Sequence, residues 1–149
     1  LPHDRLKAWA DRIRARGLTL HLDAPDAAGF RDCTLHTAVD RLPGLIRLSG
    51  QRLCVSVHAA ADIDAAVAAG ADLLLWGHVF ATPSKPGRPG RGIAALAAAV
   101  RQAAPCPLIA VGGIGPADEA AVLATGAAGW AAIRAPFGPY GSAQGVVSK

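Results

Sequence analysis

From residue 52 onward the sequence alternates between two kinds of segment. "RLCVSVH" (52–58), "ADLLLWG" (71–77), "CPLIAVGG" (106–113) and "AAGWAAIRA" (127–135) are short apolar runs with strand character. Between them lie "AADIDAAVAAG" (60–70), "GIAALAAAVRQAA" (92–104) and "PADEAAVLATG" (116–126), long enough and Ala-rich enough to be helices, each ending near a helix-stopping residue or a strand start. A strand that is apolar without interruption is covered on both faces, and the intervening helices supply that cover. This alternation predicts parallel strands joined by helical crossovers in one α/β layer structure.

Upstream, "DRLKAWADRIRARG" (4–17) reads as a helix with Leu6, Trp9, Ala10 and Ile13 on one face and Gly17 after it. "LTLHLDA" (18–24) reads as a strand and "CTLHT" (33–37) as a weaker one, making six strands. A length of 149 residues fits one domain spanning 1–149. Two architectures compete: an open doubly wound sheet and a TIM (βα)8 barrel. In both, function gathers in the loops that follow the strands. Those loops here are "SVH", "GHVFATPSKPGRPGRG", "VGGIGP" and "IRAPF", all rich in polar residues or glycine.

A closed barrel needs eight strands and usually at least ~200 residues. The first two βα units are unaccounted for in this numbering, and the chain does not begin with Met. Open strand edges are unfavourable. The expectation is that residues before Leu1, or another chain, complete the sheet; a homo-oligomer is one form this takes.

Composition narrows the function classes. Apolar residues make up 52% of the chain, enough for a sizeable core, yet no apolar run approaches the ~18 residues of a membrane span. The net charge is +4, concentrated in the first helix and in the Lys85–Arg91 stretch, and no aromatic residues alternate with it. Nucleic acid is therefore not an expected partner, and neither is a membrane. Cys33, Cys54 and Cys106 have no metal-ligand spacing, and two of them, in or next to apolar runs, read as buried, inert thiols, which fits a reducing cytoplasm. No metal or cofactor is expected.

Three stretches can carry chemistry. In "IAVGGIGPADEA" a strand ends in Gly112-Gly113 and a helix begins near Pro116. Glycines let a backbone approach an anion, and a helix N-terminus offers unpaired N–H groups, so the stretch suits one phosphate. In barrels such a site lies between the last two strand-end loops, which brings in Arg134 and Ala135. His78 follows Gly77 where an apolar strand runs out, so it is expected to point toward the mouth rather than the core, and an imidazole is the side chain that can both give and take a proton near neutrality. The loop "ATPSKPGRPGRG" offers the hydroxyls of Thr82 and Ser84 and the charges of Lys85, Arg88 and Arg91, and reads as an anion-attracting flap. Ser56 is a plausible ligand contact. His58, beside a helix start, reads as a structural hydrogen bonder. His3, His21 and His36 have no partners at catalytic spacing in the sequence.

"SVH", the run into "GHVFATPSKPGRPGRG", "PLIAVGGIGP" and "GWAAIRAPF" together resemble the thiamine phosphate synthase superfamily, which has a (βα)8 barrel. The similarity runs over about 18–137. "GHVF", with His78 where the synthase branch has Pro, resembles the TenI-like thiazole tautomerases. That resemblance implies thiamine biosynthesis and an isomerase. His78 would move the proton that aromatises a thiazole carboxylate phosphate, whose phosphate would rest on Gly112, Gly113, Arg134 and Ala135. Ser56, Thr82 and Lys85 would contact the rest of this small phosphorylated thiazole. The alternatives are a thiamine phosphate synthase, joining hydroxymethylpyrimidine pyrophosphate to thiazole phosphate, and a binder without turnover. The synthase pattern includes magnesium-binding aspartates; "LTLHLDAPD" offers Asp23 alone, with Asp40 nearby.

Overall fold

The computed structural model describes residues 3–27 and 29–132. Helix α1 (His3–Arg14) leads into strands β1 (His21–Asp23), β2 (Thr34–Ala38) and β3 (Arg52–Val57). Then α2 (Ala60–Ala68), β4 (Leu73–Gly77), α3 (Gly92–Ala103), β5 (Leu108–Val111), α4 (Glu119–Leu123) and β6 (Gly129–Ala131) alternate. All adjacent strands pair parallel, in the order β1-β2-β3-β4-β5-β6. A doubly wound sheet reverses its strand order at a switch point. Among the described strands there is no reversal, so each crossover moves one strand further the same way and the sheet curls. The result is a curled parallel sheet, a half-barrel, with no pairing between β1 and β6 among the described residues.

The alternation along each strand sets what faces where. In β3, Leu53, Val55 and Val57 are buried on the helix side, and in β4, Leu74 and Trp76 are. The apolar faces of α2 (Ile63, Ala66) and α3 (Leu96, Ala99, Ala103) cover them. Gln102 of α3 donates to Ala60 O at 3.0 Å and to Asp64 Oδ1 at 2.8 Å, tying the two helices together. The opposite, concave face carries Ser56, Leu75 and Ile109, partners in register and each half-buried.

The six expected strands are all present, five with shorter bounds and β2 displaced by one residue from the expected 33–37. The helix expected over 116–126 is a 3-10 turn (Pro116–Asp118) followed by the five residues of α4. Its end comes early because Thr125 Oγ1 donates to Val122 O at 2.6 Å, and Gly126 then takes a φ of +87° that stops the helix.

Among the described residues, the crossovers β1–β2 and β2–β3 contain no α-helix. Pro43, Gly44 and Gly50 interrupt the second. Side chains pin these segments instead. Gln51 Nε2 donates to Phe30 O at 2.6 Å, and its Oε1 accepts from Leu48 N at 2.7 Å. Arg47 pairs with Asp72 at 2.6 Å, and the same Asp72 oxygen accepts Leu53 N–H at 2.8 Å.

Candidate functional site

Strands β1, β2 and β3 bring three polar side chains into a line, Asp23 at the end of β1, His36 in the middle of β2 and Ser56 near the end of β3. Register pairs Asp23 with His36 and His36 with Cys54. Ser56, two residues beyond Cys54, therefore shares the concave face with both. His36 Nδ1 lies 2.9 Å from Asp23 Oδ1, and His36 Nε2 lies 2.8 Å from Ser56 Oγ. An ionised carboxylate only accepts, so Nδ1–H donates to Asp23 and Nε2 is left to accept the Ser56 O–H. His36, set aside in the sequence for want of a partner, is thus the centre of a three-residue relay. Its partners are 13 and 20 residues away, and only strand register brings them together. Cys54, on the same strand, does not compete as a nucleophile: burial, then Cys106, push its thiol up to about 12, against a smaller opposing pull from Arg52. On β1, His21 is pushed below its ordinary value by desolvation first, then by His36 and Arg52.

The end of β4 is built differently. His58 Nδ1–H donates to Gly77 O at 2.9 Å, the structural role expected of it. His78 is buried, and its Nε2–H donates to Pro89 O at 3.1 Å. Its Nδ1 is shielded from solvent and has no hydrogen-bond partner. The sequence placed this imidazole at an open mouth; the structure places it beneath the basic loop. That loop folds back on the strand end, with Arg91 N donating to His78 O at 3.1 Å and Gly92 N to Val79 O at 2.8 Å. The Arg91 guanidinium sits 5.9 Å from the Trp76 ring centroid, so it is engaged there. Thr82 and Lys85 are half-buried within the loop, and Lys85 N donates to Thr82 O at 2.9 Å.

Gly112 and Gly113 lie against this same segment. Their φ values are +94° and +71°. A Cβ on Gly112 would come within 2.5 Å of His78 Cβ, and one on Gly113 within 2.6 Å of Ala81 O. Packing against 78–81 already requires glycine at both positions. Beyond them, Asp118 Oδ2 accepts Gly115 N–H at 2.9 Å, so a carboxylate of the chain itself occupies the start of the turn expected to face an anion. Arg134 and Ala135 lie outside the described residues. Among the described residues, no group of three or more His, Cys, Asp and Glu side chains converges as a metal site. Asp23 is committed to His36, and Asp40 is exposed in a 3-10 turn (Val39–Arg41). This donor set does not fit a protein-held magnesium ion. No helix among the described residues is long and apolar enough to cross a membrane.

Fold and rim together define the class: an α/β protein with a singly wound, curled parallel sheet and its polar groups at the strand ends. A family model described as "Thiamine monophosphate synthase" matches residues 44–135, and the chain belongs to that family. Thiamine-phosphate synthase of Cronobacter sakazakii is 41% identical over 129 residues, covering 85% of this chain and 56% of the relative. That of Shigella boydii is 44% identical over 92 residues, covering 60% of this chain and 43% of the relative. Among solved structures, thiamine phosphate pyrophosphorylase from Pyrococcus furiosus matches with a TM-score of 0.71 at 21% identity, covering 87% of this chain and 64% of that one. The chain spans about half the length of the curated relatives it matches. These relatives are named as synthases, and the tautomerase branch is not singled out.

Proposed function

We infer that the chain acts in thiamine biosynthesis as a thiamine-phosphate synthase, joining an activated pyrimidine to thiazole phosphate with loss of pyrophosphate. The observation that carries this is the 41% identity over 129 residues to a protein named for that activity. The strand-end geometry supports it. Ser56 stands on the concave face where a substrate ring can lie against Leu75 and Ile109. Thr82 and Lys85 belong to a basic loop latched over the end of β4, positioned to attract an anionic group. Gly112 and Gly113, with Arg134 and Ala135 following β6, remain the proposed rest for the thiazole phosphate. The small phosphorylated thiazole is the ligand common to every reading.

One observation favours the tautomerase as a second reading. The buried Nδ1 of His78 lacks a partner, and a buried polar atom left unpaired is costly unless it has a task. A proton carrier would use that nitrogen once the 82–91 loop lifts.

The test supplies the full chain with hydroxymethylpyrimidine pyrophosphate and thiazole phosphate, and follows thiamine phosphate and pyrophosphate release. Conversion of the thiazole carboxylate phosphate tautomer is measured in parallel. Formation of thiamine phosphate is the expected result. Tautomer conversion alone, lost by about 10²–10⁴ in kcat in His78→Asn, would replace it with the second reading. Thiazole phosphate binding without either turnover would leave a binder.

A further inference from the structure

The line Asp23–His36–Ser56 has the arrangement that turns a serine hydroxyl into a nucleophile. A nucleophile and its base stand within hydrogen-bond reach, and a third group orients the base. Both distances, 2.8 Å and 2.9 Å, fall in that range. The tautomer is the productive one, because the carboxylate fixes the proton on Nδ1 and leaves Nε2 facing the hydroxyl. The three residues sit on three adjacent strands rather than on loops, so register holds the line rigid. It is also reachable: Ser56 and His36 are half-buried and Asp23 is exposed.

We propose that Ser56 is an acyl-accepting nucleophile, with His36 as its general base and Asp23 as the residue that positions His36, giving the chain an esterase-type activity toward activated esters. This goes beyond the thiamine reading and does not rest on it. Ser56 Oγ attacks the ester carbonyl carbon while its proton passes to His36 Nε2. The tetrahedral intermediate collapses, the bond to the leaving oxygen breaks, and His36 returns the proton to that oxygen. Water then attacks the acyl-serine, giving up its proton to His36 Nε2, which passes it to Ser56 Oγ as the acid departs.

The surroundings set the substrate class. Ser56 pairs with Ala38 on one side and Leu75 on the other, within the ladder. The first amides beyond β3, His58 N and Ala59 N, both donate to Asp62 Oδ2, at 2.7 and 2.9 Å. None of these amides is poised as an oxyanion hole, so the electrophile must bring its own activation: a good leaving group such as a phenolate, not an amine. Leu75 and Ile109 extend from Ser56 along the same row, an apolar floor for a short, uncharged acyl chain.

The experiment treats the full chain with a fluorophosphonate, which tests the first step alone. Ser56 Oγ forms the P–O bond, the P–F bond breaks, fluoride leaves and the proton goes to His36. Peptide mass mapping is expected to place the label on Ser56, with none in Ser56→Ala. His36→Gln should slow labelling by about 10²–10⁴. Asp23→Asn should slow it without moving the thermal midpoint, because Asp23 is exposed, and Asp23→Glu should restore part of the rate. With p-nitrophenyl acetate the same variants should rank in the same order. A folded parent chain, verified by circular dichroism, that takes no label or takes it at another residue overturns the proposal. So does labelling of folded His36→Gln at the parent rate.

Discussion

The two halves of the sheet are held in different ways. Beyond residue 52 each crossover carries a helix, and the strands are fixed by apolar faces such as Ile63, Leu96 and Leu74. Before it, the described residues joining β1, β2 and β3 form no α-helix, and side-chain hydrogen bonds from Gln51, Arg47 and Asp72 do the holding. The functional groups divide along the same line. In the helical half, His78 is enclosed and its loop is latched. In the other half, His36 is accessible and fully paired between a carboxylate and a hydroxyl. Regular packing encloses a side chain; a half built on polar contacts leaves an open face on which a relay can be assembled.

The largest expected effect breaks the helical half at its tightest point. Gly112 combines a φ of +94° with a Cβ position 2.5 Å from His78 Cβ. Gly112→Val therefore meets both a backbone penalty and a collision with backbone-anchored atoms. Together these cost about 2–5 kcal/mol. Urea unfolding should show a midpoint lowered accordingly. A variant as stable as the parent would mean that the 78–81 segment yields easily, and that the helical half is not the rigid one.

A smaller effect tests the polar half. Asp72 accepts both Arg47 Nη2 and Leu53 N–H through one oxygen, bridging the β2–β3 segment to the helical half. The pair with Arg47 is about one-third exposed on both sides, so by itself it contributes little. Losing the acceptor for the Leu53 N–H matters more, because β3 begins there. Asp72→Ala should cost about 1–3 kcal/mol. Hydrogen exchange should rise at residues 42–53 before it rises in α2 or α3. Uniform loosening of the whole sheet would erase the distinction between the halves.

The helical half was largely legible in the sequence. Continuous apolar strands and Ala-rich helices give every element from β3 to β6, and the resemblance gives the family. Local bonds set the ends: Thr125 shortens α4 in a way that helical spacing alone does not show. The polar half was legible only as two weak strands. His36 was passed over because its partners are distant in sequence, and no spacing rule reaches across parallel register. His78 was read at the right strand end with the wrong exposure, because sequence does not say whether a Pro- and Gly-rich loop stands open or folds back onto the strand it leaves. Gly112-Gly113 read as an anion cradle, but a close approach of two backbone segments makes the same demand for glycine.

The smallest expected effect is a pH dependence in the polar half. Desolvation, then the nearby His36 and Arg52, hold the His21 pKa below its ordinary 6.5. Between that lowered value and 6.5 the unfolded chain binds a proton at this position that the folded chain does not. Stability therefore rises with pH through the window and is lost as pH falls below about 6.5, where protonation draws the chain toward the unfolded state. The ring is only partly withdrawn from water, so solvent screening keeps the loss modest. His21→Asn removes the titration and should flatten that part of the pH–stability curve while leaving the plateau above pH 7 nearly unchanged. Thermal midpoints from pH 5 to 8 measure this directly. An unchanged acid slope in His21→Asn would shift the acid sensitivity away from β1. Steeper acid loss in the variant would give the shift the opposite sign.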